Sequence, residues 1–356
     1  MVTTLLRRAY LSFATHILDV PPRLLAFLSF FLLLTFPISI GRSGLTFVVM
    51  LTNANILAMF AASWDLLVGR TGQISMGHAL FYGVGAYATA LLFVYYGLPI
   101  WITIPLSLLV GTLIALLVGF PCLRVKGAYL ALVTLAFPII LVGLLSYFKD
   151  ITGGERGVYG LPRFFPFLGF YEQRVANYYL TLLLLLISAI VLYKVANSKT
   201  GIVFVSILDD ELASKASGIN ITKYKLLAFA ISGFFATLAG SLNAHLLSVA
   251  NKASLEVTLS FMPIIITILG GIGTVYGPIA GAYILTILDR YVLKTVVDIP
   301  TEWHIIIYIL FIIVLIIRWP RGIARFVTEK LEDLQEEREL EERGKHIWKR
   351  EKKKKK

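Results

Sequence analysis

Residues 259–288 read LSFMPIIITILGGIGTVYGPIAGAYILTIL. The run carries no charged side chain and is long enough to enter a bilayer, whose core takes about 20 residues of helix. Yet Gly270, Gly271 and Gly273 interrupt it, and Gly277-Pro278 follows at once. Two readings are open. The run is either two half-helices joined by a turn, or ordinary close packing of small residues between helices. Broken helices are tolerated where they line a protein cavity rather than lipid, and they recur along transport pathways.

The rest of the chain bears on that choice. Of 356 residues, 58% are hydrophobic and only 15% are charged, with a mean hydropathy of +0.81. Soluble domains carry about 25% charged residues. So much apolar surface at this length needs lipid as its solvent. Eight apolar spans are expected, at 24–40, 44–68, 77–96, 101–120, 128–148, 177–196, 226–250 and 303–317. The first is read as a retained span, since no small-residue cleavage site follows it cleanly.

Basic residues in short loops set the orientation. Arg7, Arg8 and Arg23 precede the first span; Arg124 and Lys126 lie between the fourth and fifth; Lys199, Lys215, Lys223 and Lys225 follow the sixth; and residues 352–356 are all lysine. Placing all of these in the cytoplasm puts the end of the seventh span outside. The eighth must then run inward. The stretch 259–288 must therefore leave on the side it entered, which favours the broken hairpin. The chain is thus expected to be an all-α polytopic membrane protein with about eight full spans plus a Gly-rich broken-helix hairpin. Its expected divisions are an N-terminal cytoplasmic segment (1–23), a membrane domain (24–317) and a charged cytoplasmic tail (318–356).

The formal charge of +12 does not indicate nucleic acid. Fourteen basic and nine acidic residues lie from Arg318 onward, and the other charges are scattered singly through short loops. The tail at 328–343 alternates Glu with Lys and Arg as a solvated helix does, and its lysine run suits an anionic lipid surface. Cys122 is the sole cysteine, which rules out an internal disulfide and reads as packing. The outer loop 149–176 holds Thr152-Gly153-Gly154, Gly157, Gly160 and Pro162, a turn chemistry that predicts an ordered loop. Such a loop suits either a delivering protein or a passive connection.

The segment 197–225 is too polar for lipid. Within it, 208–218 predicts one short helix, with Asp209, Asp210 and Glu211 at its positive N-terminus, Gly218 as its left-handed stop and Thr222 capping the next span. Ala213, Ala216 and Ser217 give it a smooth side. A solvated connector and a docking element for a cytoplasmic partner are both compatible with that pattern.

Polar residues inside the spans are costly in lipid. They are Asn53 and Asn55 in the second span, Gln73, Ser75 and His78 at the entry to the third, and Asn243 and His245 in the seventh. Either a permeating zwitterion or a helix-to-helix hydrogen bond accounts for His78 and His245. Asp65 and Asp289 lie near predicted span ends. The scarcity of mid-membrane acids counts against a proton-coupled carrier. No Gly-rich loop ending in Gly-Lys-Ser/Thr is present, so ATP has no site of that kind here. The five histidines show no metal-ligand spacing.

Several stretches together resemble the permease subunits of branched-chain amino-acid ABC importers, in the M-type (LivM-like) form. They are Gly69-Arg70-Thr71-Gly72-Gln73-Ile74-Ser75-Met76-Gly77-His78-Ala79, Leu123-Arg124-Val125-Lys126-Gly127-Ala128-Tyr129, and Thr152-Gly153-Gly154 through Pro162. Further along come Ser198-Lys199-Thr200-Gly201, Asp210-Glu211 with Gly218-Ile219-Asn220, and Leu269-Gly270-Gly271-Ile272-Gly273-Thr274 with Gly277-Pro278.

The resemblance spans roughly residues 53–289 and implies an importer permease fold in the inner membrane. Its implied partners are a sister permease subunit, two cytoplasmic ATPases that use the ATP, and an extracytoplasmic substrate-binding protein. It implies no cofactor in this chain and no enzymatic activity of its own. It makes Asp209, Asp210, Glu211, Ala213, Ala216 and Gly218 the coupling segment. The substrate path is expected to involve Asn53, Asn55, Gln73, Ser75, His78, Gly270, Gly271 and Gly273. Two departures stand out. Gly218 lies seven residues after Glu211 where the general signature has six, and Trp64-Asp65 replaces a neutral pair, so no role transfers to Asp65. Urea, short amides and other amino acids are alternative substrates within the family. A stand-alone carrier is the reading from another class, and a membrane-embedded enzyme lacks clustered catalytic groups.

Overall fold

The computed structural model describes residues 44–289 and the isolated positions 310, 313, 314, 317, 318 and 322. The expected spans at 24–40 and 303–317, the N-terminal segment and the charged tail lie largely or wholly outside the described residues. The chain divides into two compact units, and residues 45–324 form the one described below.

Six helices among the described residues are long and apolar enough to cross a bilayer. They are α1 (Leu45–Thr71), α2 (Ala79–Tyr96), α3 (Ile100–Cys122), α4 (Ala128–Tyr147), α6 (Phe170–Ala196) and α9 (Ile221–Leu247). They match the second to seventh expected spans. One boundary moved substantially: α6 begins seven residues before the expected Asn177, because Gly169 in extended backbone starts the helix there. Cys122 is buried at the end of α3, as a packing residue is.

The central helix is α9, which packs on α1, α2 and α3. Hydroxyls stitch these contacts. Ser232 Oγ donates to the Ser63 carbonyl at 2.7 Å, and Ser107 and Ser241 hydroxyls lie 2.8 Å apart. In lipid there is little hydrophobic drive between helices, so close packing and such bonds hold the bundle. By contrast α3, α4 and α6 leave long apolar rows exposed, among them Leu113, Leu117, Leu132, Ile139 and Ile187.

The loops sort to two ends. At one, α7 (Lys199–Asp209) and α8 (Glu211–Ala216) meet the α3–α4 connection. At the other lie α5 (Lys149–Thr152), a two-stranded ribbon and a 3-10 turn at Lys252–Leu255. The ribbon pairs β1 (Val158–Tyr159) with β2 (Val249–Ala250) antiparallel, Val158 opposite Ala250 and Tyr159 opposite Val249. The expected ordered loop is therefore pinned to the end of α9. It is shorter than expected because α6 starts early.

The stretch 259–288 is broken as expected. Helix α10 (Val257–Gly270) and helix α11 (Tyr276–Ile287) are joined by a short turn. At 1.5 Å per residue they are only about 21 and 18 Å long. They run antiparallel in close contact: a Cβ on Gly270 would fall 1.8 Å from the Gly277 carbonyl oxygen, and one on Gly281 would fall 2.2 Å from that of Ile266. Glycine is required there for the two backbones to meet. Gly271 and Gly273, at φ of 123° and 80°, turn the chain.

Candidate functional site

The hairpin α10–α11 lies against α1, and the polar residues of α1 meet it at two levels. Toward the N-terminal half of α1, fully buried Asn55 donates from Nδ2 to Thr181 Oγ1 of α6 at 3.1 Å. Its Oδ1 accepts from the hydroxyl of Tyr283 in α11. One amide thus ties together three helices. Near the other end of α1, the buried carboxylate of Asp65 accepts from the Gly273 amide at 2.6 Å. Asp65 lies near the end of α1, as expected, and is buried inside the bundle.

Between α1 and α2 the chain is not helical. Residues 72–78 run through the protein with Gln73, Ser75 and His78 buried. Trp64 Nε1 donates to the Ser75 carbonyl at 2.7 Å, and His78 Nε2 lies 2.9 Å from the Ser63 hydroxyl. Gln73 Nε2 donates to Thr71 Oγ1 at 3.0 Å. The segment leans on α4 where Pro138 breaks the helical bonding. Proline cannot donate to the carbonyl four residues earlier. That carbonyl, of Thr134, sits where a Cβ on Gly77 would fall at 1.8 Å. The Thr134 hydroxyl in turn accepts from the Met76 amide at 3.0 Å.

The eight expected path residues do not form one cluster. Asn55 joins the second half-helix, Gly270, Gly271 and Gly273 make its turn, and Gln73, Ser75 and His78 line the broken entry to α2. Asn53 is half-buried and, among the described residues, donates to the Val49 carbonyl of its own helix at 2.9 Å. His245 makes the expected helix-to-helix bond: Nε2 lies 2.8 Å from the Thr89 hydroxyl of α2, while Nδ1 lies 2.9 Å from the Pro162 carbonyl. Sequence reasoning missed Tyr283, Thr181 and Asp65 as partners. Only Asp65 carried a signal, as a charge inside an apolar run.

The segment 208–218 corrects an expectation. It is two helices, not one. Asp209 ends α7, and Asp210 stands in extended backbone at φ −153°, ψ 107°. Asp210 breaks the helix because its carboxylate caps the next, accepting from the amides of Leu212 at 2.8 Å and Ala213 at 3.0 Å. After α8, Gly218 adopts φ +83°. Its amide bonds the Lys215 carbonyl while that of Ile219 bonds Ser214, the pattern of a left-handed helix stop. Asn220 rather than Thr222 caps α9, accepting from the Lys223 amide at 3.1 Å.

Glu211 turns inward. Its Oε2 lies 3.0 Å from Lys126 Nζ in the α3–α4 connection and 3.1 Å from Lys225 Nζ in the second turn of α9. Burial alone would raise this carboxyl, but the hydrogen bonds and charges of the two lysines outweigh it and hold it below its ordinary 4.5. The outward side of α8 carries Leu212, 75% exposed, with Ala213 and Ala216 also exposed. Among the described residues, no group of three His, Cys, Asp or Glu side chains is placed to hold a metal ion.

Residues 46–315 match the family described as branched-chain amino acid transport system / permease component. The chain is 32% identical over 259 residues to the high-affinity branched-chain amino acid transport system permease protein LivM of Salmonella typhimurium, covering 66% of this chain and 61% of that protein. Against LivM of Escherichia coli it is 32% identical over 246 residues, covering 63% of this chain and 58% of that protein. The matched chain thus spans 61% and 58% of the length of these two relatives. A more distant similarity, 26% over 285 residues, is to the ribose import permease protein RbsC of Haemophilus influenzae, of which it covers 79%. No solved structure matches this chain.

Proposed function

We propose, on the premise that this chain belongs to the family of branched-chain amino acid transport system permease components, that it is the pore-forming subunit of an ATP-driven importer. In this reading it carries branched-chain amino acids inward across the cytoplasmic membrane, in which it is a multi-pass protein. A sister permease subunit completes the pore, two cytoplasmic ATPases supply the energy, and an extracytoplasmic binding protein delivers the substrate. The chain itself performs no chemical conversion.

The observation that carries this reading is the construction of α8. An apolar knob at Leu212 and the small side chains of Ala213 and Ala216 face outward at one end of the bundle, beyond the spans. Their neighbour Glu211 is bound inward to the α3–α4 connection and to α9. A passive connector has no need of either feature. A segment that receives a push from a partner needs both: a surface for the partner and a stiff link to the helices behind it.

The test is Ala216→Arg in the transporter assembled with its ATPases. The bulky charge blocks the exposed face of α8 without touching a span. Substrate-stimulated ATP hydrolysis and uptake should both be lost while the subunits still assemble. Wild-type hydrolysis and uptake in an assembled variant would falsify the coupling role of α8.

A further inference from the structure

Asp65 is the acid in α1 to which the family resemblance assigns nothing, and it is almost wholly buried. A buried polar group needs a partner, and the partner is specific. Within the hairpin turn, Thr274 supplies the local bonds: its hydroxyl donates to the Gly271 carbonyl at 2.8 Å and accepts from the Gly277 amide at 3.1 Å. The Gly273 amide instead reaches out of the hairpin to Asp65 Oδ1 at 2.6 Å. That approach depends on Gly69, one helical turn further along α1. A Cβ there would fall 2.5 Å from Asp65 Oδ1 and 2.6 Å from the Gly273 nitrogen. The missing side chain is the notch through which the turn meets the carboxylate. At the start of the turn, a Cβ on Gly322 would fall 2.4 Å from the Gly271 nitrogen.

We propose that Asp65 is a positioning residue of the transporter: through Gly273 it holds the tip of the α10–α11 hairpin against α1, acting as a hydrogen-bond acceptor. The turn is half-buried, but the Gly273 amide points at the buried Asp65 carboxylate, and removing that acceptor leaves the donor unpaired at the contact, which is costly. Without the acceptor the turn withdraws from the Gly69 notch and the two half-helices loosen at their junction. The consequence for transport rests on the reading that this hairpin borders the substrate path.

The experiment uses the full chain with Cys122→Ala, assembled with its partner subunits in membrane vesicles. Val275→Cys, half-buried beside the tip, reports its looseness through the rate of labelling by a small thiol reagent. Asp65→Ala should raise that rate several-fold and lower uptake several-fold. Asp65→Asn, which keeps an acceptor oxygen at the same place, should leave both near wild type. Where Asp65→Ala does not reach the membrane, Asp65→Ser, whose hydroxyl stops short of Gly273, is read in its place. An unchanged labelling rate on removing the acceptor overturns the proposal, as does an Asn variant that behaves like Ala. Faster labelling with wild-type uptake keeps the positioning role and overturns the reading of the hairpin as part of the path.

Discussion

The Glu211 carboxylate lies 3.1 Å from the Lys225 ammonium, so the first residue of α8 is tied to the second turn of the most central helix of the bundle. Lys225 is only 11% exposed, whereas Lys126, the second partner, is 64% exposed. The two arms therefore differ in strength, because exposed pairs contribute about 0–1 kcal/mol and are screened by salt. Lys126→Met should change the anchoring of α8 little at physiological salt, and Lys225→Met much more. Hydrogen exchange of the peptide spanning 208–219 measures both.

The same contact predicts a pH dependence. The folded carboxyl is held below its ordinary 4.5, so its contribution is fully present above that value. It is lost as pH falls below 4.5 through the depressed folded value. Exchange of the 208–219 peptide should be constant from neutral pH to about 4.5 once corrected for intrinsic rates, and rise below it. Glu211→Gln should show the loosened pattern throughout.

Tyr283 and Asn55 make a second link that mutation can dissect. Tyr283→Phe leaves Asn55 Oδ1 buried without its donor, and should destabilise the detergent-solubilised chain by about 1–3 kcal/mol. Asn55→Ala also strips Thr181 of its contact and should cost more. The double variant should cost less than the sum, since both singles break one network. Thermal unfolding of the three variants checks this.

Gly270 and Gly218 are required for different reasons, and alanine separates them. At Gly270 a Cβ would strike the Gly277 carbonyl. Gly270→Ala should therefore force the half-helices apart and abolish uptake. At Gly218 nothing lies within 4 Å, and only the backbone angle is demanding. Gly218→Ala and Gly218→Val should cost on the order of 1 kcal/mol or more, while Gly218→Asn, which tolerates the left-handed region, should be nearly silent. Uptake and the stability of assembled transporter discriminate the two cases.

Sidedness is testable on two exposed positions, one at each end of the bundle. Cysteines at Lys199 and Arg156 in a Cys122→Ala chain should react oppositely with an impermeant thiol reagent. Arg156→Cys is expected to label from outside intact cells and Lys199→Cys only after permeabilisation. The reverse result would invert the orientation.

The membrane class, the six described spans and the broken character of 259–288 were all legible in the sequence. They follow from hydropathy and from glycine placement, which are local properties of the chain. Backbone exposed to lipid must satisfy its polar groups within its own helix, so a long apolar run has few choices. Gly218 was legible for the same reason, since a left-handed helix stop is read from neighbouring residues. Three features lay beyond reach because each depends on a partner distant in sequence. The sequence reading placed Glu211 at a helix start in the expected coupling segment, and its ties to Lys126 and Lys225 appear only in the fold. Asn55 became a three-helix junction only when Thr181 and Tyr283 arrived beside it. Asp65 was an unexplained charge until the chain brought Gly273 to it across 208 residues. Composition and spacing decide which segments enter the membrane and where they break. Which buried polar atom meets which other is decided only by packing, where the cost of an unpaired group selects among arrangements that hydropathy leaves equal.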